Sequence, residues 1–82
     1  METKMIEELD VVVLTRDLHD GGLVAGDLAT VVMVYKGKDG SVAGYEIEVV
    51  AADGNTIALL TVDPDDVRPR RSREILHVRE VA

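Results

Sequence analysis

Leu9–Tyr35, LDVVVLTRDLHDGGLVAGDLATVVMVY, is the stretch whose reading decides the fold. Four apolar residues, Val11 to Leu14, run without interruption between Asp10 and Thr15. The run is too short for a helix and rich in β-branched side chains. Asp10 to Thr15 therefore reads as a strand, buried on both faces or forming a barrel wall. A second β-branched run, Ala29 to Tyr35, follows Gly26 and Asp27 directly. Between the two lies a polar loop, Arg16 to Gly26, with Asp20-Gly21-Gly22 as its sharpest turn signal. A loop of that length needs anchors of its own, and Leu18 and Leu23 are placed to tuck back beneath it.

Outward from this core the same grammar continues. Alternation along the second strand sets Val31, Met33 and Tyr35 on one face and Thr30, Val32 and Val34 on the other. Gly37-Lys38-Asp39-Gly40 is a hairpin turn with two glycines available for positive φ. Gly44 to Val50 is a third strand, with Tyr45, Ile47 and Val49 inward and Glu46 and Glu48 outward, the pattern of a half-exposed antiparallel strand. Asp53-Gly54-Asn55 makes a second hairpin turn, and Ile57 to Val62 a fourth strand. Asp63-Pro64-Asp65-Asp66 suits a capped single turn of 3-10 helix, since Pro64 has no N–H for a ladder. Val67 to Arg70 follows as a short fifth strand or exit segment. These parts predict an all-β fold: a small SH3-like five-stranded antiparallel barrel with a long first loop, a 3-10 turn and a C-terminal tail.

At 82 residues the chain is one small domain, which divides into a flexible N-terminus (1–8), the barrel (9–69) and a basic, apolar tail (70–82). The tail reads two ways. As a helix it takes Ser72 as cap and gathers Ile75, Leu76 and Val78 to one side; as a strand Ile75, His77, Arg79 and Val81 alternate with Leu76, Val78 and Glu80. Helix is the slightly favoured reading. In either form the apolar residues call for cover, from the barrel or from another chain.

Composition narrows the function classes. Hydrophobic residues make up 46%, nearly all Val, Leu, Ile and Ala, with two Tyr and no Phe or Trp. There is no cysteine, which removes disulfides, zinc-thiolate sites and thiol catalysis. The N-terminal METKMIEELD has no apolar core of a signal peptide, and no run reaches the ~20 residues of a membrane span, so a cytoplasmic location is expected. Charge is unevenly placed. Over residues 1–67 four cations face fourteen carboxylates, a formal −10; over 68–82 five arginines face Glu74 and Glu80, a formal +3. An acidic body repels nucleic acid and anionic lipid and attracts basic protein surfaces.

At the level of motifs, the chain resembles a family of small bacterial proteins, domain of unknown function 4926. The resemblance is carried by Leu9-Asp10-Val11-Val12, by Asp17-Leu18 with Gly22-Leu23 and Gly26, by Ala29-Thr30-Val31-Val32, by Tyr45-Glu46-Ile47-Glu48-Val49, by Asp53-Gly54-Asn55-Thr56 and by Asp66-Val67-Arg68-Pro69. It spans residues 9–69. His19 stands where the family has proline. Ala29 stands where it has glycine, which argues against a positive-φ bulge at that point. The resemblance implies a free-standing small protein similar in fold to the SH3-like part of nitrile hydratase β-type proteins, and it transfers no catalytic residue.

Candidate chemistry is sparse. His19 beside Asp20 forms the one histidine–carboxylate neighbourhood in the body, and adjacent residues seldom converge on one target, so a surface histidine is expected; His77 reads the same way. Asp53, Asn55, Asp63, Asp65 and Asp66 lack EF-hand spacing and read as turn chemistry and a helix cap rather than a cation site. Gly21, Gly22 and Gly26 match no phosphate-binding pattern. With Tyr35 and Tyr45 as its only aromatics, the body lacks the stacking platforms of nucleic-acid-binding barrels and the aromatic groove of proline-peptide readers. The expectation is a non-enzymatic protein-interaction module with no cofactor and no metal, antitoxin-like or an accessory subunit. Its partner would be a basic protein, or a second copy held through the tail. The candidate interaction residues are Arg68, Arg70, Arg71, Arg73, Ile75, Leu76 and Val78. The alternative is nucleic-acid association through the arginine-rich segment 68–79, with salt-sensitive phosphate contacts. An enzyme reading would rest on His19 and the carboxylates alone.

Overall fold

A computed structural model describes residues 5–19, 22–51 and 53–71. It is all-β. Five strands, β1 (Val11–Leu14), β2 (Leu28–Lys36), β3 (Val42–Val50), β4 (Thr56–Val62) and β5 (Val67–Pro69), form one antiparallel sheet in the order β4-β3-β2-β1-β5. The 3-10 turn Pro64–Asp66 joins β4 to β5. The strands expected from the sequence are all present, each within two residues of its expected start and end.

The sheet is not closed by hydrogen bonds, because β4 and β5 are its two edges. It must nevertheless curl. Laid flat, five strands at about 4.8 Å spacing would hold β4 and β5 roughly 19 Å apart. Here they are linked by four residues, Asp63 and a 3-10 turn of three that advance only about 2 Å each. Val62 of β4 and Val67 of β5 also share one core cluster with Val12, Leu14, Val31 and Ile47. The barrel is therefore an open one, its seam bridged by the 3-10 turn and the long loop rather than by a fifth ladder. Val13 points to the opposite side of β1 from Val12 and Leu14 and is just as deeply buried, so β1 is covered on both faces, as its unbroken apolar run implies.

The long loop is anchored as its leucines suggest. Leu18 and Leu23 are buried and bridged, Leu18 N–H donating to the Leu23 carbonyl at 2.9 Å. Ala25 N–H donates to Asp17 Oδ1, and Val24 N–H to Asp27 Oδ2. Ala29 lies in regular strand opposite Val12, with no positive φ, as an alanine there demands. Both hairpin turns form, and within the first only Gly40 (φ 83°) uses the left-handed region.

One expectation fails. Val31, Met33 and Tyr35 do not share a face. The register passes from Val31↔Ile47 to Met33↔Glu46, so Val32 is an extra residue, a β-bulge. The bulge resets the alternation: Val31 and Val34 pack toward the core, while Met33 and Tyr35 turn outward beside Glu46. Ala43 and Ile57 are further extra residues, in β3 and β4.

Two backbone positions make opposite demands on side-chain size. Gly44 is buried in β3, and a Cβ there would come within 2.9 Å of the Val62 carbonyl oxygen. Leu9 is 78% exposed with φ 71°, at the third position of a β-turn closed by Asp10 N–H on the Glu7 carbonyl. Left-handed backbone at a leucine costs about 1–2 kcal/mol. Gly44→Ala is expected to destabilise the fold by about 1–3 kcal/mol. Leu9→Gly relieves strain that outweighs the roughly 0.5–1 kcal/mol entropic cost of glycine, so it should hold or raise stability. Denaturant unfolding of the two variants against the parent checks both signs.

Candidate functional site

Two surfaces carry polar chemistry: a cleft at the seam and the outer face of β2, β3 and β4. The cleft, about 360 Å³, lies between the long loop and the end of β4, with Arg16, Leu18 and His19 on one side and Leu60, Val62 and Asp66 on the other. Asp66 is the one charged residue buried among those described, only 6% exposed. Its Oδ1 accepts from Arg16 Nε at 2.5 Å, and its Oδ2 accepts from Asp63 N–H at 2.9 Å, capping the 3-10 turn. Its carbonyl accepts from Thr15 N–H, and Thr15 Oγ1 donates to the Asp65 carbonyl. The Arg16 hydrogen bond holds the Asp66 carboxyl below the ordinary carboxylate range, against the opposing pull of burial, and Asp63 N–H adds to it. The same bond raises Arg16.

The cleft's charged groups are thus committed to structure. His19 sits exposed on the loop, and Asp20 lies outside the described residues. Asp53 accepts from Asn55 N–H and Asn55 Nδ2 in the second hairpin turn, the turn chemistry its spacing suggests. Among the described residues no group of three or more His, Asp or Glu is placed to hold a metal ion.

The outer face is of another kind. Glu46 and Glu48 stand side by side along β3, half-buried, with Met33 and Thr61 flanking Glu46 and Thr30 and Leu59 flanking Glu48. Tyr35 Oη donates to Glu46 Oε1 at 2.7 Å, and Thr56 Oγ1 donates to Glu48 Oε2 at 2.9 Å. These bonds fix both carboxylates in place, and Glu46 raises the Tyr35 hydroxyl above its ordinary pKa. Around them Met33, Tyr35, Val50, Ile57 and Leu59 are exposed large apolar side chains. Scattered apolar residues mean little, but a cluster framing two fixed charges has the make-up of a contact surface. The in/out alternation of β3 marks Glu46 and Glu48 in the sequence as outward. The Val32 bulge, which brings Met33 and Tyr35 to them, carries no sequence signal.

The candidate interaction residues proposed from sequence lie elsewhere. Arg68 is half-buried in β5 opposite Val13, its Nη1 donating to the Pro69 carbonyl. Arg70 and Arg71 follow β5 and are exposed. Arg73, Ile75, Leu76 and Val78, and with them the helix-or-strand question of the tail, lie outside the described residues.

The Asp66 linkage has a readable pH signature. Because folding lowers the Asp66 pKa, its ionised form stabilises the fold fully above an unfolded value near 3.9. That stabilisation is lost as pH falls through the lower, folded value. Asp66→Asn keeps an acceptor for Asp63 N–H but removes the charge. The variant should lose about 1–3 kcal/mol at neutral pH and show a shallower further loss below pH ~4. Thermal melts of both proteins at stepped pH check this.

Among the described residues no helix is long and apolar enough to cross a membrane. Neither the curated proteins nor the solved structures contain a match to this chain. The model of a domain of unknown function, DUF4926, matches residues 8–69, about three quarters of the sequence and the whole of the sheet described above. The chain belongs to the DUF4926 family.

Proposed function

We propose that this chain is a non-enzymatic protein-interaction module, a small bacterial accessory or antitoxin-like subunit acting in the cytoplasm, whose β2–β3–β4 outer face receives a basic protein surface. The observation that carries this reading is the pair Glu46 and Glu48, held by Tyr35 and Thr56 within a frame of exposed Met33, Ile57 and Leu59. Pre-fixed carboxylates lose little side-chain freedom when a cation arrives, and the apolar frame excludes water around the contact. The formal −10 of residues 1–67 draws a basic partner to the molecule from a distance. The absence of cysteine suits a reducing compartment.

The deciding experiment is affinity isolation from the source cell with nuclease present, for the parent and for Glu46→Lys/Glu48→Lys. The parent is expected to retain a basic protein in stoichiometric amount, released by salt, and the double variant to bind it at least about tenfold more weakly at low salt. Equal recovery by both proteins, or a bare parent at every salt concentration, overturns the reading. Nucleic acid recovered only when nuclease is omitted transfers the function to Arg70, Arg71 and the segment beyond.

A further inference from the structure

The sheet has two edges, and they are not alike. The β5 edge is three residues long and ends in Pro69, which has no N–H to offer a further strand. The β4 edge is seven residues long, TIALLTV, with no proline and no charge. Among the described residues nothing pairs with its outer side. The long loop approaches only its far end, at Leu60 to Val62, across the open cleft. Such an edge leaves a row of N–H and C=O groups ready for another strand.

The sequence adds a second observation. Gly54 to Val62 is the longest run in the chain without an acidic or basic residue. The next longest, Leu28 to Tyr35, pairs with β3 along its length and is covered on its other side over Leu28 to Val31, leaving Val32 to Tyr35 as a shorter open stretch. The chain's longest uncharged segment therefore lies on the longest open edge among the described residues. An incoming basic strand would find no carboxylate on β4 to meet it. Two acidic bodies, each repelling the other, would find here the one strand-length stretch where no carboxylates oppose one another.

We infer that β4 is the pairing edge for a second copy of this chain, joined antiparallel across a two-fold axis through Leu59. The register follows from parity. A two-fold axis normal to the sheet must match outward residues with outward residues. Centred on Leu59, it sets Leu59 against Leu59 of the second copy, Ile57 against Thr61, and inward Ala58 against inward Leu60. The two open sheets become one, with the exposed Ile57 and Leu59 side chains of both copies meeting at its middle. A five-residue ladder is small beside a standard interface, so the dimer is weak and concentration-dependent. Salt strengthens it by screening the like-charged bodies, opposite to the effect of salt on a basic partner at Glu46 and Glu48. The inference shares Ile57 and Leu59 with the face of that partner reading but needs neither Glu46 nor Glu48, so the pure chain tests it alone.

Sedimentation equilibrium of the full chain over a range of protein and salt concentration tests it. A monomer–dimer equilibrium that tightens with salt is expected, and Leu59→Lys should be monomeric with an unchanged circular dichroism spectrum. The parent has no cysteine, so single-cysteine variants give a clean second measurement. Leu59→Cys places two thiols opposite each other, with Cβ atoms about 5 Å apart. It should cross-link to a dimer under mild oxidation, while Ile57→Cys, facing Thr61 of the other copy, should not. A chain monomeric under all conditions, a dimer that survives Leu59→Lys, or cross-linking of Ile57→Cys as fast as of Leu59→Cys overturns the inference.

Discussion

The fold depends on one carboxylate. A sheet of five strands has to bend until its first and last members nearly meet, and the segment that makes the bend has backbone polar groups to satisfy. Asp66 resolves this. Its side chain satisfies Asp63 N–H at the head of the 3-10 turn and takes the Arg16 guanidinium from the start of the long loop, while its carbonyl receives Thr15 N–H. One residue thus ties the exit of β1 to the approach of β5. A buried carboxylate is costly unless its oxygens are all answered, and here both are. The cleft beside it is a product of this closure, and its charges serve structure.

With the seam held there, the other side of the sheet is left to face outward. The outer rows of β2, β3 and β4 mix two fixed glutamates with methionine, tyrosine, leucine and isoleucine. The chain has few means of making a strong surface: no Trp, no Phe, no Cys. It uses its flexible and amphipathic residues there, Met33 and Tyr35, and its inner core is built from aliphatic residues around the single buried Tyr45. Val and Ile suit this division, since they fill a pleated interior without polar atoms to satisfy.

Much of this was legible in the chain. Strands, turns and the 3-10 segment follow from β-branched runs punctuated by glycine, aspartate and proline, and these signals are local. Leu18 and Leu23 read as anchors because a polar loop has no other use for two leucines. Glu46 and Glu48 read as outward because β3 alternates cleanly. What escaped was set by register. The extra residue at Val32 has an ordinary β-branched side chain and no positive φ, so nothing local marks it. It arises because β2 must pair with β1 on one side and β3 on the other while the sheet curls, and the curl needs a residue more on one strand. Gly44 is similar: its need for a bare Cα comes from the Val62 carbonyl, eighteen residues away.

The sequence by itself determined an all-β chain, the order and limits of its strands, the inward and outward rows of β3, and the acidity of its body, because each is a property of neighbouring residues or of their sum. The tertiary structure alone decided that the sheet stays open at β4 and β5, that Asp66 meets Arg16, that Met33 and Tyr35 join Glu46 on one face, and that the long uncharged strand is an edge. These are facts of which distant segments touch. They are set by the volume the core must fill and by the requirement that every buried polar group find a partner.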